Sequence, residues 1–279
     1  MGYASEGNEG LRSRRLIKSF GIAALAMAIA AGGLAVAPQT AVGAGKKIVI
    51  VVGPVGSNTS YFKSVANDVA TQAKKYGMNV VKIYTPYATW ARVKNAAQGA
   101  SMLVYAGHGN GWPSPYSPFQ RYTKDGLGLN PYSGSGNRKV KHYGEKYVAE
   151  ELNLASNAVV LLMRLCYASG NSEPGKANPT QSTAKKRVDN YGAGFLRTGA
   201  KVVFAQGYGK SNHIFHGLYN TNRTMSEIFW SDPSAKGSYR ISFSSDRTSG
   251  AKAILDPYRP GRYYRSVIGS LSMTAGQWR

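Results

Sequence analysis

The feature that most constrains this chain is a rhythm of short apolar runs separated by amphipathic stretches and closed by glycine or proline. Ile48-Val49-Ile50-Val51-Val52 is an unbroken β-branched run ended by Gly53-Pro54. Apolar residues without alternation suit a strand buried on both faces, as in a parallel sheet. Ser60 is placed to cap a helix that carries Phe62, Val65, Ala66, Val69, Ala70 and Ala73 on one face, and Gly77 ends it. A strand over 79–84, stopped by Pro86, a helix over 89–98, closed by Gly99, and a strand over 101–106 follow. This βαβαβ order with short connections predicts an α/β fold with a three-layer, doubly wound, mostly parallel sheet.

Residues 110–141 form a long insertion rich in Gly, Pro, Ser, Tyr and Asn. Loops of that length usually carry function. The pattern then predicts a helix over 144–152, a very apolar strand over 157–165, a loop over 168–179, a helix over 183–197 and a fifth strand over 201–205. Beyond Gly209 the periodicity weakens. A helix over 222–230 and a strand over 238–243 are expected, with strand and turn in the last 35 residues. There is no internal repeat, so 45–279 is read as a single domain.

Residues 1–44 read as an export signal. Arg12, Arg14, Arg15 and Lys18 form a positive start, 20–37 is an uncharged Ala/Gly-rich apolar run, and Val42-Gly43-Ala44 offers small residues before a cut at Ala44/Gly45. Ser13-Arg14-Arg15-Leu16-Ile17-Lys18 resembles a twin-arginine signal. The alternative is a retained anchor, since about 18 apolar residues span a bilayer. Once the signal is removed, no membrane span is expected, and the protein is expected to be secreted or at the cell surface. Of 35 basic and 13 acidic residues, four and two fall before residue 45, which leaves 45–279 with a net charge of +20. Such a field favours anionic partners such as a cell-wall polymer. No nucleic-acid recognition motif accompanies the charge, so no specific nucleic-acid partner is expected.

The chemistry concentrates where strands end. In an open parallel sheet, ligands bind beyond the carboxyl ends of the strands. His108 follows the 101–106 strand, and Cys166, the sole cysteine, follows the 157–165 strand. Neighbouring strands lie about 5 Å apart, so two such side chains can flank one carbonyl. A thiolate is a strong nucleophile, and an imidazole can take and return its proton. The N–H groups of Gly109 and Cys166 are placed to hold a developing oxyanion. An unpaired thiol in an exported protein is also a liability, which favours a use for it. Neither role requires a metal or cofactor. His213 and His216 have no third ligand at a suitable spacing, and His142 is read as solvated. Trp112, within Trp112-Pro113-Ser114-Pro115-Tyr116, is a candidate recognition residue. Asp125 and Glu173, in the two flanking loops, are candidates to select a basic side chain by ion pairing.

Two blocks carry a resemblance: Met102-Leu103-Val104-Tyr105-Ala106-Gly107-His108-Gly109 and Val159-Val160-Leu161-Leu162-Met163-Arg164-Leu165-Cys166, with 58 residues between the histidine and the cysteine. A hydrophobic strand ending in His-Gly and a later one ending in Cys resemble the caspase-like cysteine peptidase clan, which includes caspases, gingipains, legumain and clostripain. The resemblance implies a caspase-hemoglobinase fold, His108 as general base and acid, Cys166 as nucleophile and Gly109 as an oxyanion donor. It also implies that Gln206 and Tyr208, after the fifth strand, shape a specificity pocket. Leu165 departs from the small residue that many members carry before the cysteine.

The expectation is therefore an exported cysteine endopeptidase acting on protein or peptide. The alternatives are a non-catalytic cell-surface binding module, or an amide hydrolase directed at peptidoglycan.

Overall fold

The computed structural model describes residues 45–279; the expected export signal lies outside the described residues. The elements in chain order are β1 (Lys47–Val52), α1 (Thr59–Lys75), β2 (Asn79–Tyr84), α2 (Trp90–Ala97), β3 (Met102–Ala106), β4 (Leu127–Leu129), β5 (Lys141–Tyr143), α3 (Glu145–Glu151) and β6 (Ala158–Met163). They continue with α4 (Gln181–Leu196), β7 (Ala200–Gln206), α5 (Asn212–Asn220), α6 (Met225–Trp230), β8 (Ile241–Ser244), β9 (Lys252–Pro257), β10 (Tyr263–Gly269) and α7 (Ala275–Trp278).

Eight strands make one sheet in the order β2-β1-β3-β6-β7-β10-β9-β8. The first five are parallel to one another, and β10, β9 and β8 follow β7 with each strand antiparallel to its neighbour. The unbroken apolar runs take the inner positions, where both faces need cover. In β1, Val49 and Val51 point into a core roofed by α2, α3 and α4, whereas Ile48, Ile50 and Val52 point into a second core under α1, α5, α6 and α7. These are the three layers of an α/β domain, as the apolar rhythm predicts.

Backbone chemistry sets the limits of the elements. Asn157 (φ 66°) and Arg164 (φ 61°) are left-handed, so the expected strand over 157–165 shortens at both ends to β6. Thr180 accepts from the Thr183 N–H and starts α4 earlier than expected. Thr224 and Glu227 form a capping box at the start of α6. Helix α4 crosses the sheet closely because Gly192 lacks a Cβ, which would lie 2.6 Å from Ile268 Cγ2.

The apolar periodicity is weakest beyond Gly209, and there the structure adds most. α5 has no counterpart among the expected elements, and β9 and β10 continue the main sheet. β10 hides its nature because it carries Arg265 and Ser266 in buried positions. Arg265 is matched by Asp256 at 2.5 Å and Asp232 at 3.2 Å, which no local pattern announces. The 110–141 insertion is not structureless either: β4 and β5 pair antiparallel as a separate small sheet.

Candidate active site

The register of two strands brings the histidine and the cysteine together. β3 and β6 are adjacent and parallel, with Ala106 opposite Met163. Two residues beyond Ala106 stands His108, and three beyond Met163 stands Cys166. Both side chains open onto one cleft of about 610 Å³, whose wall includes Asn110, Tyr116, Lys124, His142 and Glu173. A second cleft of about 370 Å³, lined by Tyr61, Arg164, Tyr208 and Tyr264, shares Cys166 and Glu173 with the first. The cysteine therefore sits where two clefts meet.

Each partner is held from below. The Tyr105 hydroxyl, fully buried, accepts from Gly128 N–H (2.9 Å) and lies 2.8 Å from Gly128 O and 3.0 Å from His108 O. It ties the end of β3 to the β4 strand. A Cβ on Gly109 would meet the Cys166 carbonyl oxygen at 2.0 Å and the Cys166 nitrogen at 2.9 Å, so glycine is required where the two peptides touch. Among the described residues neither the Gly109 nor the Cys166 N–H donates a hydrogen bond within the protein.

Cys166 lies on a tightly wound segment. Arg164 (φ 61°) and Tyr167 (φ 72°) are both left-handed, a conformation costing of order 1 kcal/mol or more for a residue with a Cβ. Tertiary contacts hold them there. The Arg164 N–H donates to Gln206 O at 2.7 Å, and its guanidinium lies over the Tyr61 ring at 4.8 Å. The Tyr167 ring lies under Arg187 at 4.7 Å, and its hydroxyl donates to Glu173 Oε1 at 2.7 Å. Tyr116 donates to the other oxygen, Oε2, at 3.0 Å.

Electrostatics set the resting protonation. Desolvation, with the Glu173 charge adding to it, pushes the Cys166 thiol up to about 11. The His108 imidazole faces the cleft and is exposed, yet desolvation by its walls lowers its pKa, opposed by Glu173. Both effects favour a neutral thiol beside a neutral imidazole. His142, expected to be solvated, is instead half-buried in the cleft wall, and its pKa falls to about 4 through desolvation and the nearby His108 and Lys124. The sequence signal for it was slight: Lys141-His142-Tyr143 makes sense as a strand only once it pairs with Leu127–Leu129.

The five expected substrate-binding residues are not all together. Glu173 lines both clefts and Tyr208 lines the second. Trp112 lines neither; it is half-buried against Phe119, and its carbonyl accepts from Asn190. Asp125 is fully buried, accepts from the Trp112 N–H at 2.9 Å and opens onto neither cleft, so in this arrangement its carboxyl has no route to a substrate side chain. Gln206 is buried on the far side of β7 with His213 (3.2 Å) and Asp232 (3.5 Å). His213 faces Asp232, whereas His216 bonds Asn220. Among the described residues no group of three or more His, Cys, Asp or Glu side chains is placed to hold a metal ion.

No family model and no curated protein matches this chain. Among solved structures it is similar to a flavodoxin of Streptococcus pneumonia TIGR4, at 16% identity over 55% of this chain and 77% of that one, with a TM-score of 0.29. It is also similar to a short-chain flavodoxin associated with a PDU bacterial microcompartment, at 12% identity over 56% and 77%, with a TM-score of 0.28. Both of these solved structures are flavodoxins and neither is a caspase-like peptidase, and the caspase-like family expected from two strand-end motifs is corrected. The physical reason is that any open parallel sheet offers its strand ends to a histidine and a cysteine, so such short motifs do not specify a family. What stands is a three-layer α/β domain with a mostly parallel sheet.

Proposed function

We propose that this protein is an exported cysteine hydrolase that cleaves amide bonds in peptides, with Cys166 as nucleophile and His108 as the proton-transfer residue. The observation that carries this reading is the register of β3 and β6, which sets both residues on one cleft. The thiol is neutral at rest, so the proton leaves as attack occurs. Cys166 Sγ bonds to the carbonyl carbon while His108 takes the S–H proton. The carbonyl electrons move onto oxygen, where the Gly109 and Cys166 N–H groups receive them. Collapse breaks the C–N bond, and His108 gives its proton to the leaving amine. Water, deprotonated by His108, then splits the thioester, releasing the acid and restoring the thiol.

Residues 1–44 support an extracytoplasmic location, where peptides or peptidoglycan stem peptides are the available amides. The test is to incubate the full-length protein with a mixed peptide library and map new termini by mass spectrometry. Cuts that vanish in Cys166→Ala and His108→Ala support the proposal; cuts absent from the wild type, or unchanged in both variants, overturn it.

A second reading is favoured by the thiol pKa of about 11, which does not mark an activated nucleophile. It is a binding module that uses the basic surface of 45–279 to hold an anionic wall polymer. Sedimentation with teichoic-acid-bearing walls that salt abolishes, together with no peptide cleavage, selects it.

A further inference from the structure

Lys124 is the notable charge of the main cleft. The residue is buried, lines the cleft, and among the described residues makes no ion pair. Its ammonium donates to two neutral acceptors, Asn110 Oδ1 at 2.9 Å and Ser114 Oγ at 3.1 Å, and lies 5.6 Å from the Tyr116 ring, which leaves a third hydrogen without an oxygen acceptor. A buried ammonium without an anion is costly, so the arrangement calls for one.

The neighbouring acids Asp125 and Glu173 favour the ammonium through space, but neither pairs with it directly. Asp125 turns away to the Trp112 N–H. Glu173 has both oxygens occupied by the Tyr167 and Tyr116 hydroxyls. The ammonium is also well positioned. Asn110, two residues past His108, donates through Nδ2 to Thr123 O at 2.9 Å, and its own carbonyl accepts from Asp125 N–H at 2.9 Å. The loop bearing Lys124 is thus tied to the loop bearing His108. His142 lines the same cleft and brings a further ring N–H.

We infer that Lys124, seated beside His108 in this cleft, receives a carboxylate of the substrate, carried by an acidic side chain or by a free C-terminus close to the scissile bond. This deepens the hydrolase reading and rests on it. It also reverses the expected selection of basic side chains by Asp125 and Glu173.

The test uses full-length Cys166→Ala protein, which binds without turnover, in isothermal titration at 0.15 M salt. The probes are acetylated and amidated Ala-Ala-Glu-Ala-Ala, its Gln counterpart, and the Gln peptide with a free C-terminal carboxylate. One acidic peptide is expected to bind about tenfold tighter than the neutral one, the scale of a charge-assisted hydrogen bond. Which of the two it is distinguishes side chain from terminus. The preference should disappear with Lys124→Met, survive Lys124→Arg, and survive Lys186→Met, which removes an exposed surface charge outside this cleft. Equal binding of all three peptides, or a preference that survives Lys124→Met, overturns the inference. Wild-type cleavage of the same peptides is read separately. Selective binding without Cys166-dependent cleavage would sink the hydrolase reading and leave the carboxylate site standing.

Discussion

Gly109 rests on the peptide of Cys166 so closely that a Cβ on the glycine would lie 2.0 Å from the cysteine carbonyl oxygen. The obstacle is backbone rather than a side chain that can swing away. Gly109→Ala must therefore move one strand end relative to the other. The expected result is at least a hundredfold loss of peptide cleavage, with a stability loss of about 1–3 kcal/mol by urea titration. An alanine variant with wild-type turnover would show that the two N–H groups do not act together.

His108 is exposed and pinned through its backbone, so its ring contributes little to the fold. His108→Ala is expected to lower cleavage by about 10²–10⁴-fold, the usual contribution of a proton-transfer residue. The thermal midpoint should stay where it is. Turnover and differential scanning calorimetry on one preparation check both halves of this expectation.

Glu173 raises the pKa of Cys166 and, to a lesser extent than desolvation lowers it, that of His108. Replacing it with Gln removes a negative charge that opposes the thiolate. The midpoint of iodoacetamide alkylation at Cys166 should then fall from about 11 but stay above the ordinary 9.0, because burial, the larger cause, remains. Alkylation at pH 8 should rise accordingly. A midpoint that stays in place or rises would mean that burial alone sets the thiol pKa.

The hydroxyl of Tyr105 accepts from Gly128 N–H and shares its single hydrogen between Gly128 O and His108 O. Tyr105→Phe leaves the buried Gly128 N–H without its acceptor. A loss of about 1–3 kcal/mol is expected in denaturant unfolding. Cleavage should fall as well, because His108 loses its tether.

Asp125 has a folded-state pKa pushed up to about 8 by burial, with the Trp112 N–H opposing the rise, against 3.8 as its ordinary value. The folded protein therefore holds a proton that the unfolded chain has released. Stability from this group is fully present below pH 3.8 and is lost as pH rises through 8, with a slope of up to about 1.4 kcal/mol per pH unit between them. Asp125→Asn should flatten the slope between pH 5 and 8, measured by urea unfolding at a series of pH values. An unchanged slope would place the titration elsewhere.

The amino-acid sequence by itself determined the layered α/β architecture, the inner strands β1, β3 and β6, and the meeting of His108 and Cys166 on one rim. Each follows from near neighbours along the chain: unbroken β-branched runs demand cover on both faces, and strand ends in a parallel sheet share an edge. Only the tertiary structure decided that Lys124 and His142 stand in the cleft wall, that Asp125 and Gln206 turn away from it, and that β8, β9 and β10 complete the sheet. Those outcomes depend on partners supplied by other elements, such as Asp232 for Arg265 and Asn110 for Lys124. A buried charge looks like a surface charge until its distant counterpart folds beside it.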